Sequence, residues 1–395
     1  MNGAGVDGAA VNGTAVNGAA VNGAAVNGAA VTGVEPVTVI GGGPIGLAIA
    51  WRCAAAGLAV TLHDPQPGSG AGAVAAGMLS PVAEAYFGEE ELTGLLVASA
   101  ARWPAFAAEL TAASGIDLGH RGEGTLVVGL TRDDAAAARR LWTYQRQLGL
   151  ALTPLDAAAL RAAEPSLTPR IGAGALLPDD HQVDPRRLVT ALREAVVRAG
   201  VRLVPSAVTD LDTIGAGTTV VAAGWASGAL TGLPVRPVKG EILRLRAPVG
   251  AAPALRHVIR GQADGEPVYL VPRADGEVVV GATVEEHADT RVSAGAVLRL
   301  LRAATALVPE LAEYDLVETA AGLRPGTPDN RPLIGELPGR PGVLVATGHY
   351  RHGIVLTPLT AELIRDRITV GAALPDSVTP GRFAASQTRK AQSWT

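Results

Sequence analysis

Residues 37–64 carry the pattern that most limits what this chain can fold into. Val37-Thr38-Val39-Ile40 is a short β-branched run, as a buried parallel strand requires. It runs into Gly41-x-Gly43-Pro44-Ile45-Gly46 and a helix-forming stretch that reaches about Ala56 and stops at Gly57. Leu58 to His63 reads as a second strand, ending at Asp64. The three glycines have separate duties. Gly41 permits the tight turn, Gly43 lets the backbone approach a pyrophosphate, and Gly46 lets helix and strand pack closely. The helix N-terminus favours negative charge, and the acid at 64 is placed to hydrogen-bond an adenosine ribose. The segment predicts a Rossmann-type βαβ unit that binds a dinucleotide, and its spacing does not separate NAD from FAD.

The rest of the 395 residues suggests one nucleotide-binding domain in three separated pieces with a second domain inserted. Segments near 89–113, 133–147 and 294–307 have helical composition, and Asp184-Pro185 opens another helix that ends at Gly200. Strands are expected at 201–204, 208–211 and 218–222, and strand-like alternation dominates 241–245, 268–272 and 277–281. The expected fold class is α/β, with a βαβ cofactor domain over 36–85, 170–236 and 320–370. A substrate domain on a mixed or antiparallel sheet is expected over 86–169 and 237–319. Residues 371–395 read as a flexible tail. Residues 1–35 repeat Val-Asn-Gly with a period of five at 11–13, 16–18, 21–23 and 26–28. Such a Gly-rich, aromatic-free segment cannot bury enough surface to offset its ordering entropy, so it is expected to be disordered.

Composition narrows the function. The net charge of −4 offers no basic face for nucleic acid or an anionic membrane. The one cysteine, Cys53, excludes an internal disulfide and a cysteine-cluster metal site, and reads as helix packing. No charged leader precedes an apolar core and no stretch of about 18 apolar residues runs uninterrupted, so a cytoplasmic protein without a membrane span is expected. His349 and His352 lack nearby ligand partners, so no metal is expected, and Asp179-Asp180-His181 reads as a solvated loop.

Three further segments bear on the cofactor. Ala75-Ala76-Gly77-Met78-Leu79-Ser80 is a small-residue stretch soon after the second strand, and the strand at 220–222 ends in Ala223-Gly224. Gly348-His349-Tyr350-Arg351-His352-Gly353-Ile354 leads into a C-terminal helix expected to begin near Gly353, its N-terminus facing negative charge on a flavin. Together with VDPRRL, KGEI, VYLVPR, GEVVVGATVE, AGLRPGTPDNRPLIG and ATGHYRHGIVLTP, these resemble the FAD-dependent amino-acid oxidase family, and within it the glycine oxidases of thiamine biosynthesis. The resemblance runs from about residue 36 to 370.

The resemblance implies a two-domain flavoenzyme with non-covalent FAD that oxidises glycine to iminoacetate, with O2 reoxidising the flavin to give hydrogen peroxide. The imine is then handed to a thiazole synthase or hydrolyses to glyoxylate and ammonia. It leaves homo-oligomerisation open. Carried over by position, Arg324 of AGLRPG matches the carboxylate-binding arginine, Tyr269 of VYLVPR the tyrosine that assists it, and Arg351 of GHYRHG a second arginine beside the flavin. Cofactor contacts are expected from Gly41, Gly43, Pro44, Ile45, Gly46, Asp64, Ala76, Gly77, Met78, Val208, Ala223, Gly224, Gly348, Tyr350, Arg351, His352, Gly353 and Ile354. Val284 stands where some relatives carry Met, which bears on pocket volume. An arginine suits the role because its planar fork meets a carboxylate bidentately. Two alternatives stay open at this point: a D-amino-acid or sarcosine oxidase or dehydrogenase of the same fold, and a flavin-binding module without turnover.

Overall fold

A computed structural model describes residues 35–383. Residues 1–34, with all four copies of the period-five repeat and the disorder expected there, and residues 384–395 of the expected tail lie outside the described residues. The β-branched runs assemble one six-stranded sheet. Its order is Leu333–Glu336, Val343–Thr347, Thr218–Val221, Val37–Ile40, Val60–His63 and Arg202–Val204. All neighbours are parallel except the first pair. Val37–Ile40 lies between strands that follow it in opposite directions across the sheet. Its carboxyl end is therefore the switch point where such folds open a crevice. The helix Pro44–Ala55 returns over the sheet and buries Leu47, Ile49 and Cys53 in the first core. Burial pushes the Cys53 thiol up to about 12, in keeping with a packing role.

A second sheet of eight strands runs Asp315–Gly326, Arg236–Arg246, Glu277–Gly281, Glu266–Pro272, Val258–Ala263, Thr125–Gly129, Ala173–Leu177 and Thr153–Leu155. It is antiparallel except where Val258–Ala263 meets Thr125–Gly129. The amphipathic helix Ala294–Leu307 closes one face, burying Leu300, Ala304 and Leu307 against Ile259, Leu270 and Val280.

The strands Ala173–Leu177 and Asp315–Gly326 belong to this second sheet. The sequence segments 170–236 and 320–370 therefore each feed both sheets. Three local expectations are corrected. Residues 208–211 form no strand, because the Asp210 side chain accepts the Asp212 N–H and turns the chain into a 3-10 helix, Leu211–Thr213. Residues 371–383 do not trail off: Val378 is fully buried, and Arg382 donates from Nε to Asp329 at 2.8 Å. The last helix begins at Thr357, four residues after Gly353, with Pro358 in its first turn. A 3-10 turn, Tyr350–His352, precedes it.

Candidate active site

Between the carboxyl ends of the first sheet and one face of the second lies a cavity of about 950 Å³. At its nucleotide end the glycines act as their spacing implies. Gly41 has φ +105°, and a Cβ there would stand 2.5 Å from the Ala222 carbonyl oxygen. A Cβ on Gly46 would stand 1.9 Å from the Gly41 oxygen, whereas one on Gly43 would meet nothing within 4 Å and project into open space. No side chain caps the helix that Gly43 begins, so its first amides are free for an anion. Asp64 accepts the Gly42 N–H at 2.6 Å and the Gln66 N–H at 2.7 Å, which fixes its carboxylate at the wall. Farther along, Gly77 has φ +85°, and a Cβ would collide with the Val183 oxygen at 2.0 Å. This cradle of backbone without side chains fits an extended dinucleotide.

Of the residues the sequence marks, all but two line the cavity. Gly46 and Gly348 stand behind it as packing glycines. Gly348 has φ +72°, and a Cβ there would meet Thr327 Cγ2 at 2.5 Å. The turn at 350–352 replaces the expected helix start. Gly353 and Ile354 still offer backbone N–H groups that bond to no other protein group among the described residues.

The other end of the cavity is built by strand register. Tyr269 pairs with Arg260 on one side and Gly281 on the other, so all three face the same way. Gly240 and Gly322 are paired on the neighbouring strands and line the same space. These glycines make room: a Cβ on Gly281 would lie 2.2 Å from the Tyr269 hydroxyl, and one on Gly240 would lie 2.1 Å from the Arg324 guanidinium.

Arg324 Nη1 donates to the carbonyls of Lys239 at 3.2 Å and Thr283 at 3.1 Å. Its other nitrogens have no partner, and no carboxylate pairs with it among the described residues. Burial raises the Tyr269 hydroxyl above its ordinary value, against the opposing pull of Arg324 and Arg260, so it stays protonated. Its hydroxyl too has no partner among the described residues.

Two residues at this end carry no signal in the sequence reading. Glu84 hydrogen-bonds Arg260 and lies 3.7 Å from Arg351. Burial would raise its carboxyl, but Arg260, His352 and Arg351 around it hold it down at about 2. The segment bearing Glu84 is clamped by Asp180, whose two oxygens accept the N–H groups of Val82 at 2.8 Å and Ala83 at 3.0 Å. Asp180 is fully buried, which corrects its reading as part of a solvated loop. His349 and His352 are buried and depressed to about 3 and about 4 by desolvation, so both are neutral at neutral pH. His349 meets Thr360 Oγ1 at 3.0 Å. Among the described residues no cluster of His, Cys, Asp and Glu is placed to hold a metal, and no helix is long and apolar enough to cross a membrane.

Comparison with known proteins agrees with this architecture. The family description "FAD dependent oxidoreductase" (DAO) matches residues 36–367. A glycine oxidase of Geobacillus kaustophilus is 37% identical over 354 residues, covering 84% of this chain and 92% of the relative. Its crystal structure superposes with a TM-score of 0.81 at 33% identity, over 87% of this chain and 98% of that one. A putative thiamine biosynthesis oxidoreductase, ThiO, of Rhizobium etli is 32% identical over 344 residues, covering 86% of this chain and 98% of its own. The cradle, the switch-point crevice and the match along nearly the whole described chain place this protein in the DAO family of FAD-dependent oxidoreductases.

Proposed function

We propose that the chain is a glycine oxidase, converting glycine and O2 to iminoacetate and hydrogen peroxide. The observation that carries this reading is Arg324, a half-buried guanidinium in the cavity wall with two backbone anchors and no carboxylate of its own. A substrate carboxylate completes it through a two-point, charge-assisted contact. Tyr269, protonated and unpaired beside it, donates to the same carboxylate. The residues that would hold FAD are Gly41, Gly43, Ile45 and Asp64 at the nucleotide end, then Ala76 to Met78, Val208, Ala223-Gly224 and Gly353-Ile354. FAD held there would supply a two-electron acceptor for the hydride leaving the substrate Cα, with O2 as the final oxidant.

The protein's part is orientation. Fixing the carboxylate aims one Cα–H at the acceptor, and such orientation is where much of the acceleration in a site of this kind arises. Glu84, held at about 2, and the two histidines, at about 3 and about 4, are all weak bases, so the zwitterion gives up its ammonium proton to bulk water on binding and reacts as the free amine. The imine hydrolyses to glyoxylate and ammonia unless a following enzyme consumes it. The ThiO-type relative supports thiazole synthesis for thiamine as that destination.

The test is an anaerobic titration of the purified protein with glycine, followed through the visible flavin band. Bleaching with glycine, then recovery in air with one peroxide formed per turnover, is the expected result. Bleaching only with sarcosine or D-alanine overturns glycine as substrate, and slow recovery in air overturns the oxidase assignment.

A further inference from the structure

We propose that Lys239 is a positioning residue for the substrate end of the cavity, holding the 283–293 segment in place and, through its own carbonyl, the aim of Arg324. This rests on the reading that Arg324 clamps the substrate carboxylate. Lysine is nearly absent from the chain: Lys239 and Lys390 are two among 33 basic residues. Lys239 is also buried, with its side chain only 5% exposed.

Its ammonium gathers three carboxylates, Glu241 at 2.9 Å, Asp289 at 3.4 Å and Glu285 at 4.0 Å. Glu241 lies on the strand of Lys239, while Glu285 and Asp289 lie on the irregular segment that follows the strand Glu277–Gly281. A compact ammonium with three rotatable donors can serve oxygens of three separate carboxylates, whereas a planar guanidinium fork fixes the plane of its donors.

The segment is tied at both ends to this centre. At its start, Lys239 and Glu285 exchange backbone hydrogen bonds at 2.8 and 3.0 Å, and the Glu241 N–H donates to Thr283 Oγ1 at 3.0 Å. At its finish, the Ser293 N–H donates to Glu241 Oε2 at 3.1 Å, and the Ser293 hydroxyl caps the helix Ala294–Leu307. Between these anchors, Val284 and Thr290 form part of the cavity wall.

Arg324 sits where the two sides meet. It donates to one carbonyl from each, Lys239 and Thr283, and a Cβ on Gly240 would strike its guanidinium. The free nitrogens of Arg324 therefore point where the relative position of those two carbonyls sends them. The Lys239 cluster sets that position. Arg291 and Arg299 also approach Asp289 and Glu285, at 3.6 and 3.9 Å, but both are largely exposed and neither reaches Glu241.

The experiment uses the FAD-loaded full chain and two readouts: the glycine KM, and the Kd of glycolate, a non-amine carboxylate, from its perturbation of the flavin spectrum. Lys239→Met is expected to raise both by about tenfold with FAD affinity unchanged, since misplacing a positioning group by a fraction of an ångström acts on binding geometry. Lys239→Arg is expected not to restore them. Because Lys239→Met strands the buried Glu241, Asp289→Asn is the second variant. It removes only a partly exposed partner and is expected to raise the glycolate Kd about threefold. A glycolate Kd equal to the parent's in Asp289→Asn, or in a folded Lys239→Met, overturns the proposal. Arg324→Met separates the two levels: if it leaves glycolate binding unmoved, the reading of Arg324 fails, and the role of Lys239 falls with it. If Arg324→Met abolishes binding while the Lys239 and Asp289 variants do not change it, only the positioning role fails.

Discussion

Arg324 and Glu84 show how one cavity uses charged side chains in opposite ways. Arg324 is left with donors to spare, whereas Glu84 is saturated by two arginines. Arg324→Lys keeps the charge but cannot span both carbonyls and a carboxylate with a planar fork. It is expected to retain FAD and to weaken glycine binding by about 2–5 kcal/mol, read as the glycine KM in peroxide assays; an unchanged KM removes Arg324 from the site. Glu84→Gln leaves Arg260 and Arg351 without their carboxylate. Breaking such a pair costs about 3–5 kcal/mol, so urea unfolding should show a fall of that order. Glycolate should bind more tightly to the unneutralised cavity.

Arg324, Tyr269 and Arg351 were legible as residues of the cavity wall because each lies inside a long motif. Glu84 and Arg260 were not. They are 176 residues apart, Arg260 lies on a strand that no alternation announced, and only the register with Tyr269 turns it into the cavity.

Elements were legible where local chemistry decides their form. The strand, glycine turn and helix at 37–55 follow from β-branching, three glycines and a proline at the helix start, and the helix Pro185–Arg198 follows from its Asp184 cap. They were misread where a side chain redirects the backbone, as Asp210 does, or where a turn intervenes before a proline, as at 353–358. The eight-stranded sheet was visible in only three of its strands. Thr125–Gly129, Ala173–Leu177 and Asp315–Gly326 each pair with a partner more than 40 residues away. Val258–Ala263, although it forms a local hairpin with Glu266–Pro272, has its apolar pattern broken by Arg260-Gly261-Gln262.

The tightest element contact gives the prediction at this scale. In Gly46→Ala the new methyl would stand 1.9 Å from the Gly41 oxygen and 3.3 Å from Ala222 Cβ. The turn must open, at a cost of about 1–3 kcal/mol for an overpacked site. The expected outcome is a folded protein with weakened FAD binding, measured by quenching of FAD fluorescence during reconstitution. Parent-like FAD affinity would show that helix and turn shift without disturbing the anion site.

At the scale of the whole molecule, buried titratable groups set the pH dependence of stability, with opposing signs. His349 and His352 are held at about 3 and about 4 by burial, against an ordinary 6.5. The unfolded chain takes up their protons first, so their contribution is complete above pH 6.5 and is lost as pH falls through their folded values. Glu84, lowered to about 2 from 4.5, adds stability above 4.5 that is lost as pH falls toward 2. Asp180 works the other way. Burial raises it from 3.8 to about 7, so the native state keeps a proton that the unfolded chain has released, and its contribution is lost as pH rises through 7.

Between pH 4.5 and 6.5 His349 and His352 outweigh Asp180 by one proton, or about 1.4 kcal/mol per pH unit, and His120, also lowered by burial, adds in the same direction. Stability at fixed, saturating FAD is therefore expected to fall on acidification across that window. Asp180→Asn removes the opposing group and should steepen the fall by about one proton. Slopes are the quantity to compare, because asparagine keeps one acceptor oxygen for the two amides of Val82 and Ala83 and shifts the midpoint as well. Unfolding free energies at several pH values measure both slopes. An unchanged slope in Asp180→Asn would mean that Asp180 stays ionised across the window, its two amide hydrogen bonds outweighing burial.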